Sequence, residues 1–270
     1  MRALARAAAL LLPCLFASPA LAQTGLAPLA APAVGAPPVN EWRAGVGAGV
    51  LVTPDYLGSH QSKARPLAVI DVRGPMDIVF VSFRDGIGAT LFRDGPVTAG
   101  PVLRPRFARD QDDNDALRGM GDVDIAGEAG VFLGYSDGTY FARAELRQGF
   151  GGHSGVLADA RIDRIFRVQP NVILSAGPRI SWGSRDFAET YFGVDQSQSQ
   201  RTGYEVFKPE EFWFAGVAAG ATWVLSDRWA VIGFGEVGRI FGTAADSPLV
   251  DRGTPTQALV GLTLTYRFWP

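Results

Sequence analysis

Cysteine is almost absent from this 270-residue chain, with Cys14 the only one. Histidine is scarce as well, limited to His60 and His153. A disulfide framework is therefore excluded, and a zinc centre has few possible ligands. No apolar run approaches the ~18 residues that a membrane helix needs. No sustained 3.6-residue period marks a long amphipathic helix. There is no phosphate loop or dinucleotide fingerprint, so no cofactor is implied. An excess of positive charge is also missing. The 25 basic and 27 acidic residues give a net charge of −2, which is not a nucleic-acid binder's balance.

The chain is instead rich in glycine, with 33 residues, and in aromatics, at 11 %. It opens on an export pattern. Arg2 and Arg6 precede a short apolar run, Ala7 to Phe16, and Ala20-Leu21-Ala22 fits a cleavage site. Residues 1–22 are expected to be a cleaved signal peptide that takes Cys14 with it. Pro13 stands where a lipoprotein signal has a small residue, so no lipid anchor is expected. The mature chain then carries 23 basic and 27 acidic residues. Residues 23–41, with prolines at 28, 32, 37 and 38, are too poor in core-forming residues to pack and are expected to form a periplasmic tail. Residues 42–270 are expected to form the outer-membrane barrel.

The last stretch, Ala258 to Phe268, shows how that unit is built. Val260, Leu262, Leu264, Tyr266 and Phe268 share one parity; Gly261, Thr263, Thr265 and Arg267 share the other. Strict alternation predicts a strand with a different solvent on each face. An all-apolar face ending in aromatics, in an exported chain, points to lipid on one side and a polar lumen on the other. Twelve such segments occur, near 42–53, 66–73, 76–83, 86–93, 97–109, 123–135, 139–150, 155–167, 171–183, 212–225, 229–241 and 257–268. Every second connection is tight: Arg73-Gly74-Pro75, Asp94-Gly95-Pro96, Ser136-Asp137-Gly138, Val168-Gln169-Pro170 and Ser226-Asp227-Arg228. The others are mostly long, 54–65, 110–122, 184–211 and 242–256, with two short or middling ones, Arg84-Asp85-Gly86 and 150–154. Merging 76–93 into one strand would put the acidic loop 110–122 on the tight-turn side, so twelve is preferred to ten or eleven. The fold class is all-β: a transmembrane antiparallel β-barrel of about 12 strands in the outer membrane of a Gram-negative bacterium, with short periplasmic turns and longer extracellular loops.

The lipid face carries its own ruler. Trp213 and Trp223 share the parity of Ala215, Val217, Ala219 and Ala221, and stand ten residues apart. At ~3.3 Å per residue and a tilt of ~40°, they span roughly 25 Å, the height of an apolar band between aromatic girdles. With Tyr266 and Phe268 they are the expected girdle residues. The opposite parity is charged. Arg104, Arg106, Arg143, Glu145, Arg147, Asp159, Arg161, Asp163, Arg179 and Arg267 are placed in the lumen, because a charge facing lipid at mid-depth costs ~2–4 kcal/mol. Neighbouring strands with interleaved Arg and Asp/Glu can form a cross-strand ladder. An Arg-lined pore for small solutes is the alternative use of the same residues.

Two stretches imitate catalytic or metal motifs. Gly152-His153-Ser154-Gly155-Val156 lacks the closing glycine of a nucleophile elbow, and a His beside its Ser in sequence has the wrong geometry for a base. It is read as a loop. The run Asp110, Asp112, Asp113, Asn114, Asp115 resembles a calcium loop, but Asp115 stands where glycine is needed and Gly121 where the bidentate Glu is needed. No catalytic residue, metal site or enzyme activity is predicted.

Three further stretches resemble the MipA/OmpV family of outer-membrane proteins: Gly47-Ala48-Gly49 with Pro54, Tyr56, Gly58 and Ser59; Tyr191-Phe192-Gly193-Val194 with Gln196, Ser197 and Gly203; and Ala244-Ala245-Asp246-Ser247-Pro248-Leu249-Val250. The resemblance implies an outer-membrane barrel in contact with lipid and lipopolysaccharide. It also implies a non-enzymatic scaffold role in envelope maintenance, with a murein lytic transglycosylase and a peptidoglycan synthase as partners. Barrels of this kind commonly end on the aromatic itself, whereas here Trp269-Pro270 follow Phe268.

Overall fold

The computed structural model describes residues 40–268. The signal segment 1–22, residues 23–39 of the tail and Trp269-Pro270 lie outside the described residues. The chain forms β1 (Arg43–Pro54), β2 (Ser62–Arg73), β3 (Val79–Ser82), β4 (Gly86–Ala89), β5 (Phe92–Asp94), β6 (Val97–Arg106), β7 (Ala126–Ser136), β8 (Tyr140–Gly151), β9 (Val156–Gln169), β10 (Val172–Gly183), β11 (Phe212–Val224), β12 (Trp229–Phe241) and β13 (Thr256–Arg267). All neighbours are antiparallel. β4 and β5 are two halves of one bent stave, so the barrel has twelve. It closes twice: β1 pairs with β13 from Gly45–Arg267 to Val52–Val260, and β4 pairs with β6.

The closing contact between β1 and β13 explains one glycine. A Cβ at Gly49 would lie 1.9 Å from the Leu262 carbonyl oxygen, so only hydrogen fits there. The alternation expected of β13 holds: Val260, Leu262 and Leu264 are exposed, while Leu259, Thr263 and Thr265 are buried. Val131, Leu146, Ile162, Val217 and Val237 continue the exposed apolar band around the wall. Aromatics mark both of its rims. Trp229, Tyr266 and Phe268 pack edge to face at 4.9 and 5.2 Å on the tight-turn side, where Trp223 also lies. Trp182 and Trp213 meet at 6.4 Å near the opposite rim.

The third and fourth staves differ from the sequence expectation. β3 starts at Val79, because Pro75–Asp77 form a 3-10 turn with Met76 and Asp77 in the left-handed region, at φ 53° and 55°. β3 and β4 have four residues each, about 13 Å of strand against the twelve residues of β2. Their connecting turn, Phe83-Arg84-Asp85, therefore stops short of the extracellular rim and enters the lumen. β2 also starts earlier than expected, with Pro66 inside it. Pro66 shares the parity of Ile70, whose carbonyl accepts from Phe83 N–H, so its missing N–H faces away from β1. Pro101 and Pro105 of β6 share the parity of Ala99, which accepts from Leu91 N–H on the β5 side. The prolines thus fall along the seam beside the short hairpin, where a lost donor costs least.

Candidate functional site

The lumen holds a layered network of arginines and carboxylates. At its base is Asp85, whose carboxylate accepts from Arg73 Nη2 at 2.6 Å, Arg84 Nη2 at 2.8 Å and Arg161 Nη2 at 2.6 Å. Arg161 comes from β9, on the far side of the barrel, so this contact bridges the lumen. The turn's backbone is held too: Arg84 carbonyl accepts from Arg104 Nη2 at 3.1 Å, and Asp85 carbonyl from Arg143 Nη2 at 3.1 Å. The middle layer is centred on Glu145. It takes Arg104 at 2.6 and 2.8 Å, Arg143 at 2.6 Å, and Arg147. Higher still, Glu128 pairs with Arg106 and with Arg147 Nε at 3.0 Å. Arg147 also reaches Asp159, and Arg179 bonds Asp163 at 2.6 Å. Most of these groups are buried, Arg73, Arg104 and Asp159 only partly, and each finds opposite charge within hydrogen-bond reach, as desolvated ions require.

Of the ten charged residues expected in the lumen, Arg106, Arg143, Glu145, Arg147, Arg161, Asp163 and Arg179 are buried, and Arg104, Asp159 and Arg267 are partly buried, with Arg267 at the tight-turn rim. The network also includes residues that strand parity did not single out. Arg84 and Asp85 lie in the short connection between the third and fourth segments, to which no lumen role attaches by parity. Glu128 lies on β7 at the inward parity of Phe132, a signal legible in the sequence. Glu236 of β12 is buried, and both its carboxylate oxygens lack a hydrogen-bond partner among the described residues.

Above the network the long loops fold inward as a roof. It contains α1 (Arg185–Phe192), α2 (Gln196–Thr202) and α3 (Pro248–Asp251). α2 is set by a capping box between Asp195 and Gln198 and ends on Gly203 at φ 74°. Phe187, Tyr191 and Phe192 of α1 are buried against Phe212 of β11, with ring separations of 4.8 to 5.4 Å. Arg106 places its guanidinium 5.0 Å from the Phe187 ring centre, joining roof to network by a cation–π contact.

The family-like stretches meet in this roof although they are far apart in sequence. Tyr56 O–H donates to Leu249 carbonyl at 3.0 Å, and Ser247 O–H to Phe192 carbonyl at 2.6 Å. Gly58, at φ 101°, donates its N–H to Gln257 at 3.1 Å. Gly193 ends α1, Pro248 opens α3, Pro54 is buried at the top of β1, and Asp246 is exposed. The acidic run 110–115 caps two short turns of the roof through Asp110 and Asn114, and Asn114 donates to Asp55 at 2.9 Å. His153 is buried: Nε2 lies 3.2 Å from Glu128, and Nδ1 accepts from Gly155 N–H at 3.2 Å. Both ring nitrogens are engaged, and neither contact is with Ser154.

Burial raises the Tyr56 phenol from its ordinary value of 10 to about 12, and burial lowers the Arg109 guanidinium beside it to about 10. A phenol raised on folding contributes stability that is complete below pH 10 and lost as pH rises through 12. Alkaline difference absorbance should show a tyrosine titrating near pH 12 that Tyr56→Phe lacks. Titration of that tyrosine near pH 10 would contradict its burial in the roof.

The family profile described as "MltA-interacting protein MipA" matches residues 46–268, nearly all of the described barrel. The chain belongs to the MipA family. Relatives in this family include the MltA-interacting proteins of Escherichia coli (strain K12) and Shigella flexneri, each 27% identical over 95 residues. Those matches cover 35% of this chain and 38% of the relative, so the aligned part spans little more than a third of the curated proteins. Among solved structures, an outer membrane channel from Pseudomonas putida F1 is similar with a TM-score of 0.48 and 10% identity, covering 89% of this chain and 100% of that one. The outer membrane protein OprD from Pseudomonas aeruginosa has a TM-score of 0.38 and 11% identity, covering 83% and 65%. A closed barrel with an apolar belt places this MipA-family protein in the outer membrane, tight turns toward the periplasm.

Proposed function

We propose that this MipA-family barrel is a non-enzymatic docking scaffold that holds a peptidoglycan-remodelling enzyme, a lytic transglycosylase of the MltA type, at the periplasmic face of the outer membrane. The observation that carries the reading is the bridge from Asp85 to Arg161 across the lumen, with the roof above it. A barrel filled at two levels is built for rigidity rather than passage. The family's name, MltA-interacting protein, supplies the kind of partner. A peptidoglycan synthase would be the second enzyme joined by such a scaffold.

The periplasmic contact surface consists of the five tight turns and residues 23–41. Co-purification of the transglycosylase with the full mature chain tests this. Deleting residues 23–41, or replacing Ser136-Asp137-Gly138 and Ser226-Asp227-Arg228 together, should remove most of the captured enzyme. Unchanged capture by both variants would sink the scaffold reading. The channel alternative uses the same lumen residues as a selectivity lining and requires a continuous path, which the bridge and the roof oppose.

A further inference from the structure

We infer that the periplasmic end of the lumen is a binding site for a small organic anion. Below the Asp85 turn the lumen widens into a chamber of about 460 Å³. That is within the range of small-molecule sites, about 300–1,000 Å³. Its mouth lies among the tight turns, beside Gly95-Pro96 and Asp137-Gly138, so it opens to the periplasm.

Its charge is locally positive. Five arginines border it, Arg43, Arg73, Arg84, Arg93 and Arg143, beside the acids Asp77, Asp85 and Asp137; Asp71 further pairs with Arg73 and Glu145 with Arg143, so the surplus rests on Arg84 and on Arg93 at the mouth. Much of that acid is already committed. Arg43 holds Asp77, Asp85 is shared by Arg73, Arg84 and Arg161, and Asp137 caps its own turn by accepting from Thr139 and Tyr140 N–H at 2.8 and 2.7 Å. Two donors remain over. Arg84 Nη1 and Arg43 Nε are buried and have no acceptor among the described residues, although both side chains are more than nine-tenths buried. A buried guanidinium N–H without an acceptor costs free energy that an incoming oxyanion would recover. Arg93 stands exposed at the mouth, with one nitrogen on Met76 carbonyl at 2.9 Å, and is placed to steer an anion inward.

The remaining wall is aromatic. Phe80 and Phe132 meet edge to face at 5.6 Å, and Phe141 lies under Arg84 at 4.6 Å. Guanidinium donors beside aromatic walls select an anion with a flat apolar body over a bare ion. None of this depends on the scaffold role.

Isothermal titration of the full mature chain, refolded in detergent, tests the site with benzoate, acetate and inorganic phosphate as probes. Benzoate should saturate one site, bind more tightly than acetate or phosphate, and weaken as salt is raised. Arg84→Gln should lower benzoate affinity about tenfold or more. Because Arg84→Gln perturbs the lumen bridge, Arg93→Gln at the exposed mouth serves as the second variant and should lower affinity and flatten the salt dependence. Arg185→Gln, in the roof, should change nothing. The inference is overturned if benzoate shows no saturable binding, if acetate or phosphate binds as tightly, or if both Arg84→Gln and Arg93→Gln bind as the natural chain does.

Discussion

Glu145→Ala should cost about 3–5 kcal/mol of folding free energy, the range for removing one partner from a buried ion pair. The reason is the number of charges left behind. Glu145 neutralises Arg104, Arg143 and Arg147 at once, from three positions on β6 and β8. Its loss leaves Arg104 and Arg143 with backbone carbonyls but no bonded carboxylate, while Arg147 retains carboxylate partners in Glu128 and Asp159. Urea-dependent refolding into lipid vesicles is the measurement. The comparison is Arg185→Ala, which breaks the exposed Arg185–Glu210 pair and should cost under about 1 kcal/mol. Equal costs for the two would mean that the lumen network is as solvated as the roof's surface.

The second large effect concerns conduction. The refolded protein should show no stepwise conductance in planar bilayers, because the Asp85 turn crosses the lumen below and the aromatic roof fills it above. Removing both obstructions should change that. A variant combining Asp85→Ala with a short Gly/Ser link in place of residues 185–207 should produce discrete steps. That variant removes the acceptor shared by Arg73, Arg84 and Arg161, and with it the rings of Phe187, Tyr191 and Phe192. Steps from the natural chain would overturn the closed-barrel reading and restore the Arg-lined pore. A folded double variant that stays silent would show that other lumen groups suffice to close the barrel.

The hairpin that supplies the floor is also the weakest part of the wall. β4 meets β6 through two residue pairs and β2 meets β3 through three, whereas β1 and β2 share twelve. Asp85 therefore serves two ends. It fills the lumen, and it pins a hairpin that its own ladder holds poorly. This is a use of buried ion pairs beyond simple stabilisation, since the pairing specifies where the short hairpin sits.

Much of the fold was legible in the sequence by itself. A period of two shows which residues share a face, and the cost of charge in lipid decides which face looks inward. That is why alternation alone points Arg143, Glu145 and Arg147 away from lipid, and all three are buried. Glycine, proline and aspartate at the tight turns gave the stave count and the direction of each strand. What the sequence alone left undetermined was everything that joins distant segments. Asp85 and Arg161 are 76 residues apart, and Ser247 and Phe192 are 55 apart. Parity is a local property, whereas these contacts depend on barrel closure, which brings strands on opposite walls within a side chain's reach. The inward turn at Phe83-Arg84-Asp85 was hidden for the same reason: its sequence is that of an ordinary hairpin, and only the shortness of β3 and β4 inside the closed wall puts it in the lumen. The meeting of the three family-like stretches in one roof likewise follows from tertiary structure, because the tops of β1, β10 and β12 are neighbours only once the barrel has closed.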